Sequence, residues 1–241
     1  MGASERKPAE AAPLRRDARR NRELLIASAR EVFAEQGLDA SLDEIARRAG
    51  VGNATLYRHF PDRAALIEAV FHESLGETQR AGEEARLSDD AWAGLTTYLS
   101  SIFAGLAADR GANDLMTTGI RGVPSLEALH AENRETVGIL LARAQRQGTM
   151  RRDITTEDLL FSLAALGRAV PALTTTAPDA WRRYLALLLD GLRAQPGEPT
   201  APATSATSAA TAAPTPPLPA PPLTLDELSS VLRDLGPHRA R

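Results

Sequence analysis

The sequence predicts an all-α protein, a three-helix N-terminal unit followed by a larger helical domain. Three observations carry that expectation. Apolar residues recur at helical spacing in one segment after another along the 241 residues. Ser, Thr, Asp or Asn stands at the start of most of these segments and glycine at the end of several, as helix caps and stops do. Two neighbouring segments, 159–170 and 181–192, are apolar nearly all round, which requires cover on every side. The length suffices for one or two domains with a sizeable core.

Residues 1–14 hold Pro8 and Pro13 and little apolar content, and are expected to form a disordered arm. A first helix is expected from Asp17 to Gln36, with Leu25, Ala29, Val32 and Phe33 as its buried stripe and Gly37 as its stop. Ser41 and Glu44 have the spacing of a capping box, and Leu42, Ile45, Ala46 and Ala49 give the second helix its inner face. Gly50 ends it, Val51 fills the turn, and Asn53 is placed to cap a third helix to about His59, with Leu56 and Phe60 inward. Pro61 interrupts. Asp62 then caps a fourth helix carrying Leu66, Ile67, Val70, Phe71 and Leu75, to about Arg80. Gly76 and Gly82, with Glu83-Glu84, suggest a boundary, so the first domain is set at 15–76 and the second at 77–194.

In the second domain, Ser88 is expected to cap a helix striped by Trp92, Leu95, Leu99, Ile102, Phe103 and Leu106, which Gly111 breaks. A short helical segment from Asp114 to Ile120 leads to a turn at Gly122-Val123-Pro124. Ser125 opens a helix to Gln147 whose stripe is Leu126, His130, Asn133, Val137, Leu140 and Ala144. Two polar side chains interrupt that row. They are either satisfied within the core or orient a ligand in a pocket. Thr155 and Asp158 open the next helix, which Pro171 ends or kinks; after Pro178 comes one more stripe of Trp181, Tyr184, Leu185, Leu188 and Leu192. Residues 195–223, rich in Pro, Ala, Thr and Ser, read as a linker. Thr224 and Glu227 open a tethered amphipathic helix with Leu225, Leu228, Val231, Leu232 and Leu235, in a final segment 224–241.

The outward residues of the third helix point to a partner. Asn53, Ala54, Thr55, Tyr57, Arg58 and His59 are small or hydrogen-bonding, and none is a carboxylate. A helix that enters the major groove needs such a face at its N-terminal end, with donors beside it for phosphate. Net charge is −3, yet residues 15–22 hold five arginines and one aspartate, and Arg47, Arg48, Arg58 and Arg63 lie at the same end. A local, arginine-rich footprint suits phosphate even on an acidic chain.

Residues 17–75 resemble the N-terminal domain of the TetR family of bacterial transcriptional regulators. The match is carried by Ala34, Gly37, Ser41, Ile45, Ala46, Ala49, Gly50, Val51, Thr55, Leu56, Tyr57, His59 and Phe60, then Leu66 and Val70, with G-V-x-x-x-T-L-Y-x-H-F as its specific core. The resemblance implies a helix-turn-helix at 41–60, in a DNA-binding domain followed by a helical ligand-binding and dimerisation domain. Ser41, Asn53, Ala54, Thr55, Tyr57, Arg58, His59 and Arg63 are the expected DNA-binding residues. Trp92, Phe103, Met116, Arg121, His130, Asn133, Arg134 and Phe161 are the expected effector-binding residues. The family dimerises through its last two helices, which implies Leu163, Ala164, Gly167, Trp181, Tyr184 and Leu188 for that role.

The expected function is a homodimeric repressor of a palindromic double-stranded DNA operator, released by a small hydrophobic or amphipathic effector. The alternative is control by a protein partner. No nucleophile elbow, phosphate loop or dinucleotide fingerprint is present, so neither catalysis nor a cofactor is expected. His72-Glu73 has no second histidine at the spacing of a zinc helix, so no metal is expected. The chain has no cysteine, so disulfides and thiolate sites are excluded. No apolar run is expected to reach the roughly 18 residues of a membrane span, and the charged N-terminus lacks the apolar core of a secretory signal. The expected location is the cytoplasm, on the nucleoid when DNA is bound.

Overall fold

The computed structural model describes residues 11–117, 120, 122–194 and 218–234, with side chains described at 16–117, 120, 122–194 and 218–231. The expected arm over 1–10, most of the linker, and Arg121 lie outside the described residues. Ten helices are described: α1 Ala11–Gln36, α2 Leu42–Arg48, α3 Asn53–His59, α4 Arg63–Leu87, α5 Ala91–Ala108, α6 Arg110–Thr117, α7 Pro124–Arg146, α8 Thr156–Thr176, α9 Ala180–Gly191 and α10 Leu225–Asp234. There is no strand among the described residues; one isolated bridge pairs Met150 with Arg193. Ala194 N–H donates to Thr149 C=O beside it, fastening the end of α9 to the loop after α7.

Two apolar cores organise the chain. The first gathers Leu25, Phe33, Ile45, Leu56, Phe60, Leu66 and Val70 from α1–α4, and also takes Leu115 of α6 and Leu126 and Leu129 of α7. The N-terminal unit is therefore closed by residues of α6 and α7. The second core packs Trp92, Leu95, Leu99 and Phe103 of α5 against Val137 and Leu140 of α7 and Trp181 and Leu185 of α9.

Local chemistry departs from the sequence reading at several ends. Helix α1 starts at Ala11, inside the expected arm, because Pro13 falls in a first turn whose N–H groups need no partner. Ser41 caps α2 by accepting from Asp43 N–H, but Glu44 turns to Arg47 rather than closing a box. Gly52, not Asn53, is the N-cap of α3. Asp90 rather than Ser88 caps α5, accepting from Ala93 N–H. At α7 the first residue is Pro124, and Glu68 of α4 takes both Ser125 N–H and its hydroxyl, at 3.2 and 2.9 Å. The Thr155–Asp158 box of α8 forms as expected.

The boundary expected at residue 76 falls inside α4, which runs unbroken to Leu87. Gly82 is buried there, and a Cβ on it would stand 3.2 Å from Thr136 Oγ1 and 3.4 Å from Tyr98 Oη. Its role is close approach of α5 and α7 to α4, not a hinge. Gly111 likewise lies within α6, where a Cβ would meet Phe33 Cβ at 2.9 Å and its carbonyl oxygen at 3.0 Å. The helix break expected at Gly111 comes instead at Asp109, the C-cap of α5.

Pro171 neither ends nor interrupts α8. A proline there leaves the carbonyl four residues back without its helical donor. That carbonyl is Gly167 C=O, and Asn113 of α6 donates its side-chain amide to it at 2.8 Å. The structure thus repairs the lost bond with a tie between α6 and α8. In length and apolar composition α5 and α8 both match a membrane span, which corrects the expectation that no segment would. Helix α5 packs here against α4, α6, α7, α8 and α9, with one face exposed.

Candidate nucleic-acid interface and ligand cavity

Helix α3 is held from below by Leu56 and Phe60, both buried, so its other residues are turned outward. Tyr57 is 51% exposed. Asn53, Ala54 and Arg58 are exposed too, while Thr55 and His59 are half-covered. Among the described residues Arg58 has no ion-pair partner. Asn53 does have a partner: its amide donates to Asp43 Oδ1 at 2.7 Å, bracing α3 on α2. Ser41 is exposed at the N-cap of α2.

Arg63 is the main departure. Its guanidinium donates to the carbonyls of Leu38 and Ala40, both at 2.6 Å. A long side chain expected to reach phosphate instead fastens the start of α4 to the turn before α2. Arg47 and Arg48 are spoken for as well, by Glu44 at 2.7 Å and Glu35 at 3.0 Å. These guanidiniums hold both carboxyls below the ordinary carboxylate range through their hydrogen bonds. Exposed pairs of this kind contribute little to stability and open readily for a phosphate.

The second domain holds a half-open cavity of about 360 Å³ between α5, α6, α7 and α8. Leu99, Ile102, Phe103 and Leu106 of α5, Met116 and Thr117 of α6, and Leu160, Leu163 and Ala164 of α8 form its apolar walls. His130, Asn133 and Arg134 of α7 supply its polar side. Size and lining suit a small organic ligand. A second hollow of about 220 Å³ shares Ile102, Leu106 and Met116 with it and reaches Phe71, Leu75 and Thr78 of α4. A further depression of about 600 Å³, over Arg86, Glu132 and Glu135, lies open on the outside of α4 and α7 and encloses nothing.

Tyr98 Oη donates to Asn133 Oδ1 at 3.1 Å. Burial, with the Glu132 charge, pushes the phenol up to about 12, so it stays neutral and fixes the amide. With its oxygen engaged, Asn133 has its amide nitrogen left as a donor for a ligand. His130 Nε2 is buried without a hydrogen-bond partner in the structure. Arg134 is tied to Glu157 at 3.1 Å at the rim.

The structure therefore brings Phe103, Met116, His130, Asn133 and Arg134 together as the sequence reading grouped them. Two others are placed elsewhere. Trp92 is buried in the second core with the Arg193 guanidinium 4.6 Å over its ring, away from the cavity. Phe161 is 37% exposed on the outer side of α8. The expected dimer residues also divide. Trp181 is internal, and Gly167 is buried with a Cβ position 2.9 Å from Thr117 Cγ2. Leu163 and Ala164 face the cavity. Tyr184 is exposed and Leu188 half-buried. A run apolar on all sides gave sequence reasoning no basis for choosing among its faces. Also missed were Leu225 and Leu228 of α10, which line the cavity.

The description "Bacterial regulatory proteins, tetR family" matches residues 25–70, and "Transcriptional regulator SbtR-like, C-terminal domain" matches residues 90–194. A TetR transcriptional regulator from Streptomyces coelicolor is 31% identical over 73% of this chain and 99% of its own, with a TM-score of 0.47. The chain belongs to the TetR family. It is a helix-turn-helix, DNA-binding transcriptional regulator of that family. An HTH-type transcriptional regulator from Staphylococcus aureus strain USA300 is 38% identical over 63 residues, 26% of this chain and 34% of the relative, so the match spans about a third of that protein. FadR from Bacillus subtilis, solved in complex with stearoyl-CoA, shares the TetR fold at 19% identity over 70% of this chain and 98% of its own, with a TM-score of 0.54.

In this TetR-family regulator the cavity histidine has a pH signature. Burial holds the His130 imidazole below its ordinary range, outweighing the opposing charge of Glu127. Below about pH 6.5 the unfolded chain takes up a proton at this residue while the folded chain resists. Stability is therefore lost as pH falls from there through the depressed value. His130→Gln is expected to flatten the decline in melting temperature between about pH 7 and about pH 5. Parallel curves for wild type and variant would mean that the ring is as well hydrated in the folded state as in the unfolded one.

Proposed function

We propose that this regulator is a homodimeric repressor that binds a roughly palindromic operator and releases it when a small apolar or amphipathic effector fills the cavity. The observation that carries this reading is the position of α6. On one side Gly111 presses on Phe33, and Asp114 Oδ2 accepts from Leu38 N–H at 3.0 Å, just ahead of α2. On the other, Met116 and Thr117 line the cavity. A ligand that moves α6 moves the footing of the DNA-reading helices.

In this reading Asn53, Ala54 and Thr55 face bases, and Tyr57, Arg58 and His59 face phosphates. Two α3 helices of a dimer would enter successive major grooves about 34–36 Å apart. The exposed Phe161, Tyr184 and Leu187 on α8 and α9 support a dimer face there. The stearoyl-CoA complex of FadR supports an amphipathic ligand for this fold. A cavity of this size with mostly apolar walls favours a small molecule over a protein partner as the signal. The working location is the cytoplasm, on the nucleoid.

The test pairs a thermal-shift screen of apolar metabolites with an operator obtained by selection from random duplexes. A compound that raises the melting temperature is expected to weaken operator binding, with a coupling of about 1–3 kcal/mol, and DNA must weaken its binding equally. Asn113→Ala, which cuts the α6–α8 tie, is expected to reduce that coupling. Cavity ligands that leave the operator complex untouched would overturn the repressor-release reading.

A further inference from the structure

The C-terminal helix α10 folds back onto the body of its own chain and sits on α8, where Leu225, Leu228 and Ser229 line the cavity. It has ten residues, Leu225–Asp234. Helices shorter than about 12–15 residues seldom hold alone in water, so docking is what keeps this one formed. Its start is closed internally: Thr224 and Glu227 bond reciprocally, and Thr224's N–H and hydroxyl hold the Glu227 carboxyl below its ordinary range. What it offers the body is aliphatic. Leu228 is 2% exposed and Leu225 is 41% exposed, and both line the cavity together with Leu160, Leu163 and Ala164 of α8. His130 and Asn133 of α7 line the same cavity.

We infer that α10 is a built-in competitor for the effector cavity: its Leu225 and Leu228 occupy the mouth where the apolar body of an effector enters, and an effector displaces the helix. The inference rests on reading the cavity as the effector site. The chemistry of the displaced group names the ligand class. An aliphatic or flat apolar body replaces the leucine pair, and one polar group meets His130 or Asn133. A site that is open only for a fraction of the time has its apparent affinity lowered by that fraction. Docking of α10 therefore sets the effector concentration at which the regulator responds.

The absence of cysteine permits a direct test on the full chain. Ser230, exposed on α10, is replaced by cysteine and spin-labelled, and Nile red serves as the neutral apolar probe. Three backgrounds are titrated: the otherwise unchanged chain, Leu228→Asp, and Ala164→Trp, which fills the cavity mouth. The label is expected to be immobile until dye is added and mobile afterwards. Leu228→Asp is expected to bind the dye about tenfold more tightly, as for a mouth covered about nine-tenths of the time. Ala164→Trp is expected to abolish dye binding with or without Leu228→Asp, and the melting temperature shows that each variant is folded.

Equal or weaker dye affinity in Leu228→Asp, with binding still blocked by Ala164→Trp, would overturn the competitor and leave the cavity as a ligand site. A label already mobile without dye would also overturn it. Dye binding indifferent to Ala164→Trp in every background would overturn the cavity reading, and this inference with it.

Discussion

Tyr57→Ala is expected to weaken operator binding about tenfold to a hundredfold, the range for loss of one good contact to a base or phosphate. The residue is 51% exposed on α3, and the helix is anchored from its other side by Leu56 and Phe60. Folding and dimer mass should therefore be unchanged, so the loss belongs to the DNA contact. Thr55→Ala should act in the same direction. Arg58→Ala gives an internal contrast. Removing a charge that neutralises a phosphate lowers the slope of log affinity against log salt by about one, whereas removing a neutral tyrosine leaves it alone. Fluorescence anisotropy with the selected duplex over a salt series reads both quantities. Tyr57→Ala and Thr55→Ala variants that bind like wild type would remove α3 from the role of reading helix.

The largest stability loss is expected at Trp181. Its ring is 3% exposed and stacks on Phe103 at 6.3 Å between centroids, with the Arg182 guanidinium 4.4 Å above it. It is the main anchor of α9, a helix of only twelve residues. Trp181→Ala should cost about 3–5 kcal/mol, from lost burial and the void left behind. For a chain of this size that corresponds to a melting temperature lower by roughly 6–20 °C. Phe103 also lines the cavity, so the variant should accept bulkier apolar ligands. Thermal unfolding at fixed protomer concentration measures the first effect and dye binding the second. A loss under about 1 kcal/mol would show that α9 is held elsewhere.

These two expectations depend on features of unequal legibility. The apolar stripes of α1 to α5 and the buried pair Leu56 and Phe60 follow from spacing, because a helix turns each side chain to a fixed side. Cavity residues on α5, α6 and α7 were legible for a related reason: polar His130 and Asn133 interrupt an apolar row. Destinations of long side chains were not. Whether Arg63 reaches phosphate or folds back to Leu38 and Ala40 is decided by a turn twenty-odd residues away. Gly82 and Pro171 misled because each is a breaker by local propensity. Close packing against Tyr98 and Thr136 uses the first, and the Asn113 amide compensates the second. In both cases a tertiary contact outweighs a local preference worth about 1–3 kcal/mol.

The unbroken course of α4 has a geometric consequence. Its 25 residues amount to about 37 Å of rod, from the N-terminal unit to the second core, which it enters at Ala85. Tilting such a rod by about 5° about one end carries the other roughly 3 Å sideways. In the proposed twofold dimer the two displacements would add, to about 6 Å against a groove repeat of about 34–36 Å. Gearing of this kind lets a shift too small to disturb the packing around a bound molecule put both halves out of step with the duplex.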